Sequence, residues 1–463
     1  MMQEKAITGV VLIALVGVGL VFGQIVAGSP DVTAALMMTG VIILLCLAVV
    51  TREKDDTQFL VRIWLIALGL RLAVALAVYT LDIRDYIAPD WKTYDFFGNE
   101  LCRAWQGAQD TGAEWLLGGG AKYRSGWGMY YYSAAVYYVI GQNPLAVQLI
   151  NCILGANACV LTYKIARFVY PGQRVARMAA VCVTVAPSML IWTSQGIKES
   201  PIIFFLCLSL YLTLRLSREI TLRDCFLLLV SLLSIYALRH YVFFVVFLAA
   251  GGGLLLASKR FSPANMIQVG LAVTAIGLVF AYYGAGEVAT RSFDLEKIQS
   301  GRVWSANVSE SGYGGDVDIT DTRAALVYLP LGTLFFLFAP FPWMVRSLNH
   351  ILILPEMVVW WLSAPFLFRG MWFAVRRRLR DSLAITLFTA GLTFAYALYL
   401  TNFGTSHRMR VQILGFFIIF ASIGWESRRL AKEQKRSRLR SAQARFGRPR
   451  RMPAPAMSAK QIH

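Results

Sequence analysis

Long apolar runs recur along the whole chain, and they constrain its fold more than any other feature of the sequence. Each run has roughly 16–23 residues, and about 20 residues of α-helix cross the hydrocarbon core of a bilayer. Hydrophobic residues make up 57% of the 463 positions and charged residues only 15%, against roughly 25% in a soluble domain. Since a segment in lipid must satisfy its own backbone hydrogen bonds, we predict an all-α polytopic membrane protein.

About twelve of these runs are predicted to span the membrane. Basic connections such as Arg167–Arg177 and Arg376–Arg380 mark cytoplasmic loops. With these loops inside, the twelve helices alternate consistently and both termini are cytoplasmic. The predicted spans are 7–27, 31–50, 59–81, 146–166, 176–194, 201–216, 223–238, 241–257, 265–283, 353–375, 382–401 and 411–426.

Two further apolar segments, 128–141 and 326–343, do not fit this alternation. We predict that they are interfacial or re-entrant helices in the outer loops 83–127 and 284–325 or beside them. The first segment is rich in tyrosine, which suits the headgroup layer. Pro340 and Pro342 interrupt the second segment. Residues 1–427 are thus expected to form one transmembrane domain.

The chain ends in a strongly basic segment, residues 428–463. The net charge of the protein is +19, and this segment contains twelve Lys or Arg residues but only one acidic residue, Glu433. The positive-inside bias favours a disordered cytoplasmic tail beside anionic membrane lipids over a nucleic-acid partner. The seven cysteines form no CxxC pair and predict neither a disulfide framework nor a zinc site.

The predicted outer loop 83–127 is far longer than a connector between two helices needs to be. It carries Asp90 and Asp95 among aromatic residues. A carboxylate in such a place can act as a general base towards a hydroxyl or hold a divalent cation. The alternative is a solvated acid, or a helix cap after Pro89.

Three short polar groups lie on the same predicted face, each beside the end of a span. Ordinary explanations are a helix start before Pro201, or cations that reach lipid headgroups. Cations on an outer face run against the positive-inside trend, and a lipid-linked phosphate would compensate them. We therefore expect a donor-phosphate site. The groups are Lys198 with Glu199, Arg239, and His407 with Arg408 and Arg410.

Three stretches in this order resemble GT-C-type glycosyltransferases, the group of protein O-mannosyltransferases and aminoarabinose transferases. The resemblance covers about residues 60–245. The first stretch is similar to the first outer loop of the group, the second to its following helix pair, and the third to its next outer turn. They are Asp90–Asp95 with Gly98, Leu101 and Trp105–Gly107; Tyr132–Tyr170; and Pro187 with Ser194, Lys198 and Glu199.

This resemblance implies that a sugar carried on a polyprenyl phosphate is transferred, with inversion, to an acceptor hydroxyl of a glycan, lipid or protein at the outer face of a bacterial inner (plasma) membrane. By position, Asp90 would be the catalytic base, with Asp95 as a reserve or partner. Glu199 would support the site. The donor phosphate would be held by Arg408, Arg410, Arg239, His407 and Lys198.

The resemblance also implies a possible divalent cation, Mg or Mn, at Asp90. Many members of the group have a second acid directly after the first, whereas this chain has Trp91. The spans 7–27 and 31–50 also precede the usual first helix of the group.

Two other functions fit a chain of this kind. An O-antigen or exopolysaccharide polymerase or ligase would depend on the outer-loop residues Arg291, Arg302 and Arg323 more than on Asp90. A transporter of lipid-linked sugars would need two related halves and polar groups at mid-membrane, where Arg71 is the main candidate.

Overall fold

The computed structural model confirms the all-α class. Nearly all of the described chain is helical, and its isolated β pairing is a single bridge between Gly312 and Asn402. The predicted span 7–27 lies outside the described residues. The structure describes residues 30–109, 111–117, 126–257, 263–282, 284–308, 311–345 and 348–446.

The described residues form eighteen α-helices, which we number along the chain. They are α1 (Pro30–Val50), α2 (Thr57–Thr80), α3 (Arg84–Ile87), α4 (Trp91–Trp105), α5 (Glu114–Leu117), α6 (Trp127–Ile140), α7 (Pro144–Val169), α8 (Gln173–Val185), α9 (Pro187–Thr193), α10 (Glu199–Leu216), α11 (Leu222–Leu238), α12 (His240–Ala257), α13 (Pro263–Tyr282), α14 (Ala285–Ser292), α15 (Leu295–Val308), α16 (Thr322–Phe338), α17 (Leu348–Tyr399) and α18 (Phe403–Phe446).

The predicted count of twelve spans is not confirmed. By length and composition, six helices of the described chain can cross a membrane, or seven if α8 and α9 form one bent span. One reason is that the predicted spans 353–375 and 382–401 lie in the single element α17, whose helical geometry breaks at Arg378. Another is that α11 has only 17 residues. The two segments expected at the interface form α6 and α16, and their position relative to the bilayer stays a prediction.

Pro187 divides the predicted span 176–194 into two helices that are bent by 60°. Ala186 is extended, with φ −60° and ψ 121°, and Pro187 occupies the first turn of α9, where its missing N–H costs nothing. After the bend, α9 packs against α2, α7 and α18.

Two glycines allow α17 and α18 to cross in direct backbone contact. A Cβ on Gly370 would collide with the Phe420 carbonyl, and one on Gly424 would collide with the Phe366 carbonyl. Small residues at such crossings let membrane helices approach closely. The tight crossing fixes α18 against α17 around Gly424 and Gly370.

Arg71 lies in the interior of the bundle and is completely buried. It bonds neutral acceptors: Thr193 Oγ1 at 2.8 Å, the Ala67 carbonyl at 3.0 Å and Cys159 Sγ at 3.5 Å. The guanidinium therefore ties α2 to α7 and α9. In the structure this cation is a packing element rather than part of an open polar pathway.

The basic tail is helical as far as Phe446, where an irregular segment was expected. Arg429 pairs with Glu426 at 2.5 Å and with Glu433 at 2.7 Å, which are favourable i,i+3 and i,i+4 spacings. No Gly or Pro interrupts the sequence between Gly424 and Gly447, so α18 continues. Residues 447–463 lie outside the described part.

A candidate active site at the Asp90–Arg408–Glu199 cluster

The described part of the long segment after α2 folds into the short helices α3, α4 and α5, and Asp90 lies immediately before α4. Its carboxylate does not cap that helix. Instead, Arg408 Nη2 donates a hydrogen bond to Asp90 Oδ2 at 2.7 Å. The Asp90 side chain is 44% exposed, and its Oδ1 has no partner among the described residues. Asp90 therefore presents one accessible carboxylate oxygen at the surface of the cluster.

Glu199 is the buried centre of the same cluster. Arg408 donates from Nε to Oε1 at 2.7 Å and from Nη2 to Oε2 at 2.9 Å, and Arg239 Nη2 donates to Oε1 at 3.1 Å. The Glu199 side chain is fully buried, and it lies in the first turn of α10, where the helix dipole favours a negative charge. A buried carboxylate held by two guanidinium groups fixes the orientation of both.

The two arginines come from distant parts of the chain. Arg239 occupies the tight junction between α11 and α12, and Arg408 lies in the second turn of α18. Arg408 is near the Trp192 ring, at 5.5 Å from its centroid, and Arg239 lies 5.8 Å from that of Tyr241. Aromatic neighbours hold the planar cations without neutralising them.

Amide side chains of α7 hold the connection that carries Lys198 and Glu199. Asn151 Nδ2 donates to the carbonyls of Gln195 at 2.7 Å and Ile197 at 2.9 Å. Ser200 Oγ returns a hydrogen bond to the Asn151 carbonyl at 2.6 Å. Since Asn151 is fully buried, this turn is a rigid part of the scaffold.

Lys198 adds a cation whose protonation is sensitive to its surroundings. The side chain is half-buried and has no hydrogen bond or ion pair with the residues that the structure describes. Burial, reinforced by the nearby Arg239, lowers the pKa of Lys198 to about 7. Its ammonium group is therefore available to an anion and can lose its proton near neutral pH.

The charges of the cluster favour an anionic ligand. Asp90 and Glu199 are balanced by Arg239 and Arg408, and protonated Lys198 leaves an excess of positive charge. Within the described residues, no three His, Cys, Asp or Glu side chains gather closely enough to hold a metal ion. Both carboxylates already serve a guanidinium group, so the residues present do not fit a divalent cation at Asp90.

Three other predicted site residues lie outside the cluster. Asp95 accepts hydrogen bonds from Tyr137 Oη at 2.7 Å and from Gln142 Nε2 at 3.0 Å. Arg410 donates to the carbonyls of Phe336 and Ala339, each at 2.7 Å, and its guanidinium group thereby caps the C-terminal end of α16. The predicted catalytic role of Asp95 and the predicted phosphate-binding role of Arg410 stay predictions. In the structure, both side chains form hydrogen bonds with these other groups instead.

The third of these residues, His407, faces a groove. A cavity of about 520 Å³ extends along α18 from His407 to Trp425 and is bounded by α8, α9 and α17. Most of its wall is apolar. Its polar end is formed by Glu356, which lies 3.5 Å from His407 Nε2 and accepts hydrogen bonds from the Ser188 backbone N–H at 2.9 Å and hydroxyl at 2.5 Å. The groove and the charge cluster thus share α9 and α18.

Sequence reasoning missed Glu356, and the sequence held a signal for it. Glu356 is the only acidic residue of the predicted span 353–375, and a carboxylate in an apolar run is costly unless it has a partner or a function. Ser188 carried no comparable signal, because serine is common after a proline at a helix start.

Comparison with known proteins finds one family and two solved structures that are similar to this chain. Residues 127–283 match the family described as dolichyl-phosphate-mannose-protein mannosyltransferase. The predicted resemblance to GT-C-type, polyprenyl-phosphate-sugar-dependent glycosyltransferases is therefore confirmed. The match contains Lys198, Glu199 and Arg239, whereas Asp90 and Arg408 lie outside it. No curated protein matches the chain.

Two solved structures resemble the fold, both of the oligosaccharyltransferase of Archaeoglobus fulgidus. The apo form is 13% identical with a TM-score of 0.45, over 83% of this chain and 52% of that one. The enzyme AglB in complex with an inhibitory peptide and a dolichol-phosphate is 12% identical with a TM-score of 0.44, over 87% of this chain and 53% of that one. This chain spans about half the length of the solved structures that it matches.

Proposed function

We propose that the protein is a membrane glycosyltransferase that moves a sugar from a polyprenyl-phosphate donor to an acceptor hydroxyl, at the outer face of a bacterial inner (plasma) membrane. One observation carries the proposal: Arg408 joins the exposed Asp90 to the buried Glu199 beside an apolar groove. The family match supports it, since its description names a dolichyl-phosphate-linked sugar donor.

Asp90 is the general base in this proposal. Its free Oδ1 accepts the proton of the acceptor hydroxyl while the hydroxyl oxygen forms a bond to the anomeric carbon of the sugar. The bond between that carbon and the donor phosphate oxygen breaks, and its electron pair stays on the phosphate. The transferred proton resides on Asp90 until it is released to solvent.

Arg408 and Lys198 stabilise the leaving phosphate. Arg408 Nη1 has no hydrogen-bond partner among the described residues, so this end of the guanidinium group can donate a hydrogen bond to a phosphate oxygen. The polyprenyl phosphate gains negative charge as it leaves. Arg408, already fixed in place by Glu199, stabilises that charge without reorganising.

The apolar groove is suited to the prenyl chain of the donor. It follows α18 from His407 to Trp425, eighteen positions farther along, which corresponds to about 27 Å of helix. That length is close to the ~30 Å thickness of the hydrocarbon core. A prenyl chain lying there would bring its phosphate to the end of the groove at which α9 and α18 also hold the cluster.

A single displacement, with inversion at the anomeric carbon, fits the two carboxylates best. A double displacement would need a second carboxylate free to attack the sugar. Glu199 cannot do this, because it is fully buried and both of its oxygens accept hydrogen bonds from arginine. Its role in the proposal is to position Arg408 and Arg239.

The second outer loop gives less support to a polymerase or ligase that depends on its arginines. Arg302 is completely buried and donates to the carbonyls of Leu398 and Gly314, each at 2.7 Å. Arg291 pairs with Glu287 at 2.8 Å. Both guanidinium groups thus have structural partners.

Asp90→Asn tests the proposal, and Asp82→Asn is a matched control. Asp82 is exposed, precedes the same loop and adopts φ +51°, which asparagine tolerates. The assay measures polyprenyl phosphate released from a polyprenyl-phosphate sugar in membranes that supply the acceptor. We expect Asp90→Asn to lose a factor of roughly 10²–10⁴ and the control to keep its rate. A folded Asp90→Asn variant that kept the wild-type rate would overturn the role of Asp90, and with it the proposed reaction.

A further inference from the structure

A second large cavity opens at the end of the bundle opposite the charge cluster. It has a volume of about 700 Å³ and lies between α17 and α18. Ser427, which lines it, is nineteen residues beyond Arg408 on α18. That separation corresponds to about 28 Å along the helix. The cavity therefore lies at the other boundary of a ~30 Å hydrocarbon core.

The lining of this cavity is cationic and contains no acidic residue. Its charged members are Arg369, Arg376 and Arg377. Arg369 Nε donates to Ser427 Oγ at 3.1 Å, and the Arg376 guanidinium lies 3.9 Å from the Trp372 ring centroid. None of the three arginines pairs with a carboxylate of the described residues. We call this the Arg369–Arg377 cavity.

Other arginines at this end of the bundle do have carboxylate partners. Arg174, at the start of α8, lies 3.8 Å from Glu426, which places the start of α8 beside this end of α18. Nearby, Arg177 pairs with Asp56 at 2.5 Å and Arg218 with Asp381 at 3.5 Å. The three cavity arginines are thus the ones left with uncompensated charge around a space large enough for a ligand.

We propose that the Arg369–Arg377 cavity binds the headgroup of an anionic phospholipid. Guanidinium forks match phosphate oxygens, and basic pockets between helices at the membrane boundary suit such headgroups. Trp372 is 60% exposed and marks the headgroup layer. Leu430 and Ala431 supply an apolar wall for the glycerol and the start of the acyl chains. The site is independent of the proposed glycosyl transfer.

The test is native mass spectrometry of the detergent-purified full chain titrated with phosphatidylglycerol or phosphatidylcholine. The test variant carries Arg369→Gln, Arg376→Gln and Arg377→Gln. The matched control removes three exposed cations of α18 that do not line the cavity: Lys432→Gln, Lys435→Gln and Arg436→Gln. Both variants lose the same charge, and thermal melting without lipid checks that both are folded.

We expect phosphatidylglycerol to bind the wild type at least roughly tenfold more tightly than phosphatidylcholine does. The cavity variant should lose that preference, and the control should keep it. Equal losses in both variants would show general attraction by the basic surface and overturn the site. Competition by soluble glycerol 1-phosphate at the same concentration as the lipid would also overturn it, because it would identify a free phosphate ligand.

Discussion

Replacing Glu199 by glutamine should uncouple the two arginines of the cluster with little change in side-chain shape. The carboxylate accepts three hydrogen bonds of 2.7 to 3.1 Å, two from Arg408 and one from Arg239. Glutamine keeps one acceptor oxygen but directs an N–H₂ donor towards a guanidinium group. Arg408 would keep the carboxylate of Asp90, and Arg239 would lose the carboxylate with which it pairs.

The magnitude follows from the burial of this network. Losing one hydrogen bond to a charged group costs about 1.5–3 kcal/mol, and leaving one member of a buried ion pair without its partner costs about 3–5 kcal/mol. Asp90 still compensates Arg408, so the lower end, ~3 kcal/mol, is appropriate. If Arg408 acts on the leaving phosphate, that energy corresponds to a loss of roughly 150-fold in kcat/KM.

Glu100→Gln is the matched control for this prediction. Glu100 lies on α4 and also accepts hydrogen bonds, from Arg103 at 3.0 Å and from the Gly112 N–H at 2.7 Å, but it does not touch the cluster. The assay is release of polyprenyl phosphate, with folding checked by size exclusion. The control should stay within about threefold of the wild type. The reasoning is refuted if folded Glu199→Gln also stays within that range.

Three further predictions concern pH, packing and metal. Because the pKa of Lys198 is lowered to about 7, its ammonium group loses its proton as the pH increases from 6 to 8, and the KM for the donor should rise. The Lys198→Arg variant should not show that rise. A pH profile of KM that is unchanged in this variant would exclude Lys198 as the source of the rise. A Cβ at Gly155 would lie 2.6 Å from Arg71 Nε, so Gly155→Ala should destabilise the protein by about 1–3 kcal/mol in detergent melts, whereas Gly40→Ala, with no atom within 4 Å, should not. Chelation with EDTA should leave turnover within about twofold of the untreated rate. A loss of turnover that Mn²⁺ restores would contradict the conclusion that the residues around Asp90 do not fit a divalent cation.

Much of the fold could be predicted from hydrophobicity alone, because lipid leaves a chain few choices. The predicted spans 59–81 and 146–166 correspond to α2 and α7 with ends that differ by a few residues. The count failed where helices joined or bent. The break at Arg378 and the bend at Pro187 are local changes in backbone geometry, and hydropathy does not record them.

The candidate site could be predicted only as a set of residues on one face. The positive-inside pattern placed Asp90, Glu199, Arg239 and Arg408 together, because cations are unexpected on an outer face. It could not separate Arg408 from Arg410, which lie two residues apart on α18. On a helix such positions point in different directions, and only packing decides that Arg408 reaches Glu199 while Arg410 reaches the end of α16.

The family match covers only part of the candidate site. The matched segment 127–283 contains Glu199 and Arg239, whose charges already balance each other. Arg408 enters from α18 as an additional buried cation, and such a group is tolerated only with a partner. Asp90, from a loop more than 300 residues earlier, is that partner. Charge balance therefore links the two segments outside the match: a chain that keeps Arg408 in this position needs a carboxylate where Asp90 lies.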